Sequence, residues 1–208
     1  MGLLNDYFNN TRKPIGFMGK MMVTGMNAGH TKMAHWGIST LPAIEPSSIV
    51  DLGCGGGKNA EEMMEKFPSA KMTAVDYSDV CVESARKRNA DEIAKGRCKV
   101  IQGDVSDLPL KDKSCDFVTA FETVYFWPGP VKSFKEAYRI LRTGGAFLIV
   151  NECDGTNEKD QKWVDIIEGM RIYPENEMVQ HLKDVGFADV QVSRNKNKHW
   201  IAFLAHKA

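Results

Sequence analysis

The sequence predicts a doubly wound α/β domain: a mostly parallel seven-stranded sheet with helices on both faces, an antiparallel hairpin at one edge and a helical extension at the N-terminus. Three observations carry this. From Ser47 onward, short apolar runs alternate with helix-patterned segments, as in a parallel sheet covered on both sides. The first run opens directly into a glycine-crowded stretch, IVDLGCGGGKNA, residues 49–60. The last two runs are joined by a polar turn at 195–198, with no helix between them.

Residues 48–52 (SIVDL) read as a buried strand, Lys58–Lys66 as a helix and Lys71–Asp76 as a second strand. Ser78 and Asp79 suit the cap of a long helix reaching about Lys95, where Gly96 stops it. Lys99–Gln102 is the third strand and Asp116–Phe121 the fourth. Pro130, at home in a first turn, opens a helix to about Leu141, ahead of a Gly144-Gly145 turn and a fifth strand, Ala146–Val150. An irregular helix over 158–170 precedes one from Pro174 to Val185, with Glu175 and Glu177 in its first turn and Gly186 past its end. Strands around Val190–Ser193 and Trp200–Ala205 form the hairpin.

Residues 1–40 differ. Phe17, Met18, Met21, Met22, Met26, Met33 and Trp36 recur near helical spacing, interrupted by Gly16, Gly19, Gly25 and Gly29. Two readings stand: helices packing an adaptable Met face onto the body, or a lid with glycine hinges. The chain divides into an extension or lid, 1–40, and a domain, 41–208.

Lys+Arg and Asp+Glu both number 27 among 208 residues, which argues against nucleic acid, whose binders carry a basic excess. The clusters Arg86–Arg88 and Arg194–Lys198 read as solvated surface. Five scattered cysteines form no metal-binding spacing and fit a reducing cytoplasm. No secretory leader is read, and no apolar run nears the ~20 residues of a membrane span.

Four glycines occupy five positions, 53–57. Glycine in regular structure costs about 0.5–1 kcal/mol relative to alanine, so bare backbone here has a purpose. A dinucleotide fingerprint fails because its third glycine would be Lys58; a phosphate-cradling P-loop fails because Asn59 follows Lys58. What remains is an acid followed by alternating glycines: Asp51, Gly53, Gly55 and Gly57.

This pattern closely resembles motif I of the class I S-adenosylmethionine-dependent methyltransferases, whose loop wraps a ligand without phosphate. AVDYS, QGDVSDLPL, SCDFVTAFETVYFW and EAYRILRTGGAFLIV follow in that family's order and spacing, so the resemblance covers residues 47 to about 152. It is strongest with the small-molecule branch that includes ubiquinone and menaquinone methyltransferases. It implies S-adenosyl-L-methionine as cofactor and a small-molecule acceptor, with the protein a monomer or homodimer. Carried over by position, the cofactor site is Asp51, Gly53, Cys54, Gly55, Gly57, Asp76, Tyr77, Asp104, Val105 and Phe121. Asp76 would accept the ribose hydroxyls, and Asp104 with Val105 would clasp adenine. Asp51 also suits a role orienting the loop, Asp104 one capping a turn over Ser106 and Asp107, and Cys54 that of a small residue tolerated between glycines.

Methyl transfer from a sulfonium needs alignment, a dry site and, for a protonated nucleophile, a base. FETVYFWP, residues 121–128, falls where the chemistry would occur. Tyr125, Phe126 and Trp127 are either an aromatic wall for the departing charge or a packing cluster. Glu122 contacts ligand or substrate, or is a solvated acid. Members that methylate exocyclic or amide nitrogens carry Asn/Asp-Pro-Pro-Tyr here; this chain has Phe121-Glu122-Thr123-Val124. His30 and His35 are the histidines near the extension, too awkwardly spaced for a helical metal pair but in the titration range of a base. The catalytic candidates are His30, Glu122 and Tyr125, with no metal. A nicotinamide oxidoreductase and a non-catalytic S-adenosylmethionine-binding protein are the alternatives.

Overall fold

The computed structural model describes residues 30–208. The Met and glycine pattern of residues 16–29 lies outside them. One sheet holds β1 (Ser48–Leu52), β2 (Lys71–Asp76), β3 (Cys98–Gln102), β4 (Cys115–Phe121), β5 (Leu141–Asn151), β6 (Ala188–Arg194) and β7 (Ile201–His206), in the order β3-β2-β1-β4-β5-β7-β6. β1 to β5 pair in parallel, while β7 runs antiparallel between β5 and β6. The terminal hairpin is therefore present, with the last strand on its inner side. The order reverses between β1 and β4, and such a switch point opens a ligand crevice beyond the strand ends.

The helices are α1 (Thr31–Ser39), α2 (Lys58–Lys66), α3 (Asp79–Arg88), α4 (Ala90–Ala94), α5 (Pro130–Ile140), α6 (Gln161–Ile166) and α7 (Glu175–Val185). One face of the sheet packs Ile49, Met72, Phe117 and Leu148 against apolar residues of α1, α2 and α3. The other packs Val50, Leu52, Phe147 and Ile149 against α5 and α7. In α1, Met33, Ala34, Gly37 and Ile38 are buried, and a Cβ on Gly37 would lie 2.5 Å from Val150. This part of the extension packs on the body. His35 Nε2 lies 3.0 Å from Glu62 Oε1 of α2.

Three expectations are corrected. The long helix after β2 breaks at Asn89, which leaves the helical conformation and caps both pieces. The 158–170 helix is a 3-10 turn, Glu158–Asp160, followed by α6, which stops at Ile166. β5 begins directly after α5, so Gly144-Gly145 lie inside the strand. The register against β4 slips there, between Cys115 and Phe117, and Gly144 takes φ +78°.

Candidate functional site

Gly53, Gly55 and Gly57 all adopt left-handed φ, +70°, +51° and +79°, which L side chains resist. Their surroundings differ. A Cβ on Gly53 would meet Thr123 Oγ1 at 2.1 Å, and one on Gly57 would meet Asn89 Nδ2 at 2.6 Å. At Gly55 no described atom lies within 4 Å of that position. Two glycines permit tight packing and the third faces open space. Gly53 and Cys54 donate backbone bonds to the Val75 carbonyl, 2.8 and 3.0 Å. Asn89 Nδ2 donates to the Gly57 carbonyl (3.1 Å) and Arg88 Nε to that of Gly56 (3.2 Å). The basic residues of both clusters are exposed at the surface, where Arg86 donates to the Val100 carbonyl and Arg194 pairs with Glu175.

Asp76, at the tip of β2, is buried and turned toward this loop. Its Oδ2 accepts the Gly55 N–H and its Oδ1 the Ser78 N–H, both at 2.9 Å. The Tyr77 N–H and the Cys81 side chain also bond this carboxylate. Burial, only partly offset by these bonds, raises its pKa. Asp51 is 1% exposed. Its Oδ1 accepts the Thr119 hydroxyl at 2.7 Å, while Oδ2 has no hydrogen-bond partner among the described residues. Burial, with a smaller push from Asp76, lifts this carboxyl to about 7 against the Thr119 bond.

The other predicted residues divide. Tyr77 is a large hydrophobic residue left exposed, at 39%, beside Asp76. Asp104 is exposed and its Oδ1 accepts the Ser106 N–H at 2.7 Å, so it does cap the turn. Val105 packs half-buried against the apolar cluster containing Val75 and Leu108. Phe121 ends β4 inside the core, and Cys54 is buried with its thiol pushed far up by desolvation.

At the ends of β4 and β5 the structure brings His30, Glu122 and Tyr125 together and adds Glu152. Glu122 sits at φ +55°, a strained conformation that tends to mark functional positions. Its Oε1 accepts the Tyr125 hydroxyl at 3.2 Å and also the Glu152 N–H. The Tyr125 oxygen accepts the Cys153 N–H at 2.9 Å. His30 Nδ1 lies 3.7 Å from Glu122 Oε2 and 3.4 Å from Glu152 Oε2. Burial first, then the neighbouring Glu152, raises the Glu122 carboxyl to about 7, against the pull of His30. Burial opposes the charge of His30, but Glu152 and Glu122 raise its pKa on balance. Burial and Glu122 also push the Tyr125 hydroxyl up, so it serves as donor rather than base. Thr123, next in chain to Glu122, is the residue packed on Gly53, which sets this group beside the glycine loop. Trp127 faces elsewhere: its ring stacks on Phe147 at 6.3 Å and 5°, within the core, and is not part of an aromatic wall. Glu152 and Asn89 escaped the sequence reading, one as an ordinary strand-end acid, the other as an ordinary helix residue.

A glycine loop at the switch point thus has an acid at each of the two adjoining strand tips, without a phosphate-binding pattern. The chain carries, over residues 50–149, a match to the family described as Methyltransferase domain. It is 29% identical over 160 residues to 2-methyl-6-phytyl-1,4-hydroquinone methyltransferase 2 of Oryza sativa subsp. japonica, covering 73% of this chain and 44% of that protein. It is 28% identical over 153 residues to the ubiquinone/menaquinone biosynthesis C-methyltransferase UbiE of Methylobacterium nodulans, covering 71% and 58%. The chain thus spans about half the length of these curated relatives. Among solved structures, a Haloferax volcanii methyltransferase in complex with the Trm112 methyltransferase activator superposes with TM-score 0.81 at 19% identity, covering 99% of this chain and 98% of that one.

Proposed function

We propose that the chain transfers a methyl group from S-adenosylmethionine to a small-molecule acceptor and releases S-adenosylhomocysteine. The observation that carries this reading is the Asp76 carboxylate seated on the Gly55 N–H at the rim of an open glycine crevice. Ribose hydroxyls would bond Asp76, and Tyr77, Asp104 and Val105 would border the adenine. The bare edge at Gly55 would admit the methionine portion, whose ammonium suits the orphaned Oδ2 of Asp51, with Gly53, Cys54, Gly57 and Phe121 shaping the walls. His30, Glu122 and Tyr125 stand at the acceptor end, where their part is to hold and polarise the atom that receives the methyl.

Several features support a small acceptor. The relatives named above are named for quinol and quinone substrates. A cleft of about 600 Å³, lined by Thr156, Asn157, Glu158, Arg171 and Pro174, lies beyond β5 and has small-molecule dimensions. The Arg171 N–H donates to the Tyr125 carbonyl at 2.9 Å, tying this cleft to the acceptor end. All five cysteines are unpaired, which fits a reducing cytoplasm, and no helix among the described residues is long and apolar enough to cross a membrane. The reading takes the working unit as a monomer or homodimer.

Calorimetric titration with S-adenosylmethionine, S-adenosylhomocysteine and NADH tests this. The first two should bind one to one and NADH should not. Tight NADH binding with no binding of S-adenosylmethionine refutes it. Methyl-labelled cofactor with hydroquinones, thiols and amines then identifies the acceptor atom.

A further inference from the structure

His30, Glu122 and Glu152 come from three separate elements: the residue capping the N-terminus of α1, and the positions just past β4 and β5. One ligand atom from each lies within 4.8 Å of the others. No other group of three His, Cys, Asp or Glu side chains among the described residues comes together in this way. Two ligands each about 2.1 Å from one ion stand about 3–3.5 Å apart at ordinary coordination angles. The separations of His30 Nδ1 from the two carboxylates, 3.4 and 3.7 Å, are close to that.

The remaining atoms of the group are already committed. Glu122 Oε1 is taken by Tyr125 and by the Glu152 N–H, which leaves Oε2 pointing toward His30. His30 Nδ1 is shielded from solvent and, among the described residues, faces these two carboxylates. Two charged carboxylates converging on a buried imidazole nitrogen repel each other unless a proton or a cation lies between them. A proton on His30 offsets one negative charge. A divalent ion offsets both, and it uses a neutral imidazole as a ligand. The mixed nitrogen–oxygen donor set suits Mn²⁺ or Zn²⁺ more than Mg²⁺ or Ca²⁺, which prefer oxygen alone.

We propose that His30 Nδ1, Glu122 Oε2 and Glu152 Oε2 form a divalent-metal site. Tyr125, through its bond to Glu122, is a positioning residue that aims that carboxylate. Three protein ligands leave room at the ion for an oxygen of the acceptor. A bound hydroxyl would release its proton to solvent water more readily there, so no strong side-chain base is needed. Use of the ion in catalysis rests on the methyl-transfer reading; binding of the ion does not.

The test is titration of the full chain with Mn²⁺, followed by electron paramagnetic resonance, and with Zn²⁺ by calorimetry, in the absence of cofactor. Wild type should bind one ion per chain. Glu152→Gln should weaken that affinity at least tenfold while keeping its circular dichroism and its S-adenosylmethionine binding. His30→Ala should do the same, which covers the case in which Glu152→Gln misfolds. Absence of binding at millimolar Mn²⁺ and Zn²⁺ overturns the proposal, as does binding that both variants leave unchanged. Loss of S-adenosylmethionine binding in wild type would count against the function proposed above, not against the metal site.

Discussion

At the glycine end of the crevice, Asp51, Asp76 and the loop come from β1, β2 and the turn between β1 and α2. Backbone N–H groups of Gly55 and Ser78 hold the Asp76 carboxylate. At the other end, His30 caps α1, Glu122 and Tyr125 follow β4 and Glu152 follows β5, and side chains hold much of the arrangement. A site built from backbone changes little when its surface side chains vary, whereas one built from side chains can be retuned residue by residue. Within a single fold, this lets one end keep a common ligand while the other end adopts a new acceptor.

The largest expected effect lies on the boundary between these regions. Trp127 and Phe126 are adjacent, but only Trp127 is locked into the stack with Phe147 and Phe134. Trp127→Ala should lower the unfolding free energy by about 3–5 kcal/mol, measured by urea denaturation, and Phe126→Ala by far less. Equal costs would mean the two rings share one role.

The next effect concerns pH. Asp51 has a folded-state pKa of about 7 against an unfolded value of 3.8. Below about 4 both states hold the proton. Between the two values only the unfolded chain releases it, so stability without cofactor falls as pH rises and levels off above about 7. At about 1.4 kcal/mol per pKa unit, the full effect is at most about 4 kcal/mol. Asp76, also raised, acts with the same sign. Asp51→Asn should flatten part of this slope in thermal melts across pH 4–8, and an unchanged slope would assign it to other groups.

A smaller effect separates binding from folding. Asp76→Ala should weaken S-adenosylmethionine binding by about 1.5–3 kcal/mol, the scale of hydrogen bonds to a charged group. An unchanged dissociation constant removes Asp76 from the site. Smallest in stability is Gly55→Ala, about 1 kcal/mol for the left-handed backbone alone, but with a marked loss of affinity because its Cβ would enter the crevice. Gly53→Ala carries the same backbone cost plus the clash with Thr123, so chemical denaturation should show it to be the less stable of the two.

Much of the glycine end was legible because its determinants are local. The acid–glycine spacing, the buried run before it and Asp76 at the next strand tip are all patterns within one β-α-β unit. The packing of Trp127 was not legible, since an aromatic triplet reads alike whether a ring points to a crevice or a core. Asn89 was hidden because only the approach of α3 to the loop gives its amide the Gly57 carbonyl.

By itself the sequence determined the α/β alternation, the glycine loop and the acids beside it, since helix period, strand length and left-handed φ are properties of neighbouring residues. Only the tertiary structure decided that Glu152 joins His30 and Glu122 and that the hairpin sets its last strand inward. Those outcomes depend on which strands lie side by side and in what register, a choice made by packing between segments far apart in the chain.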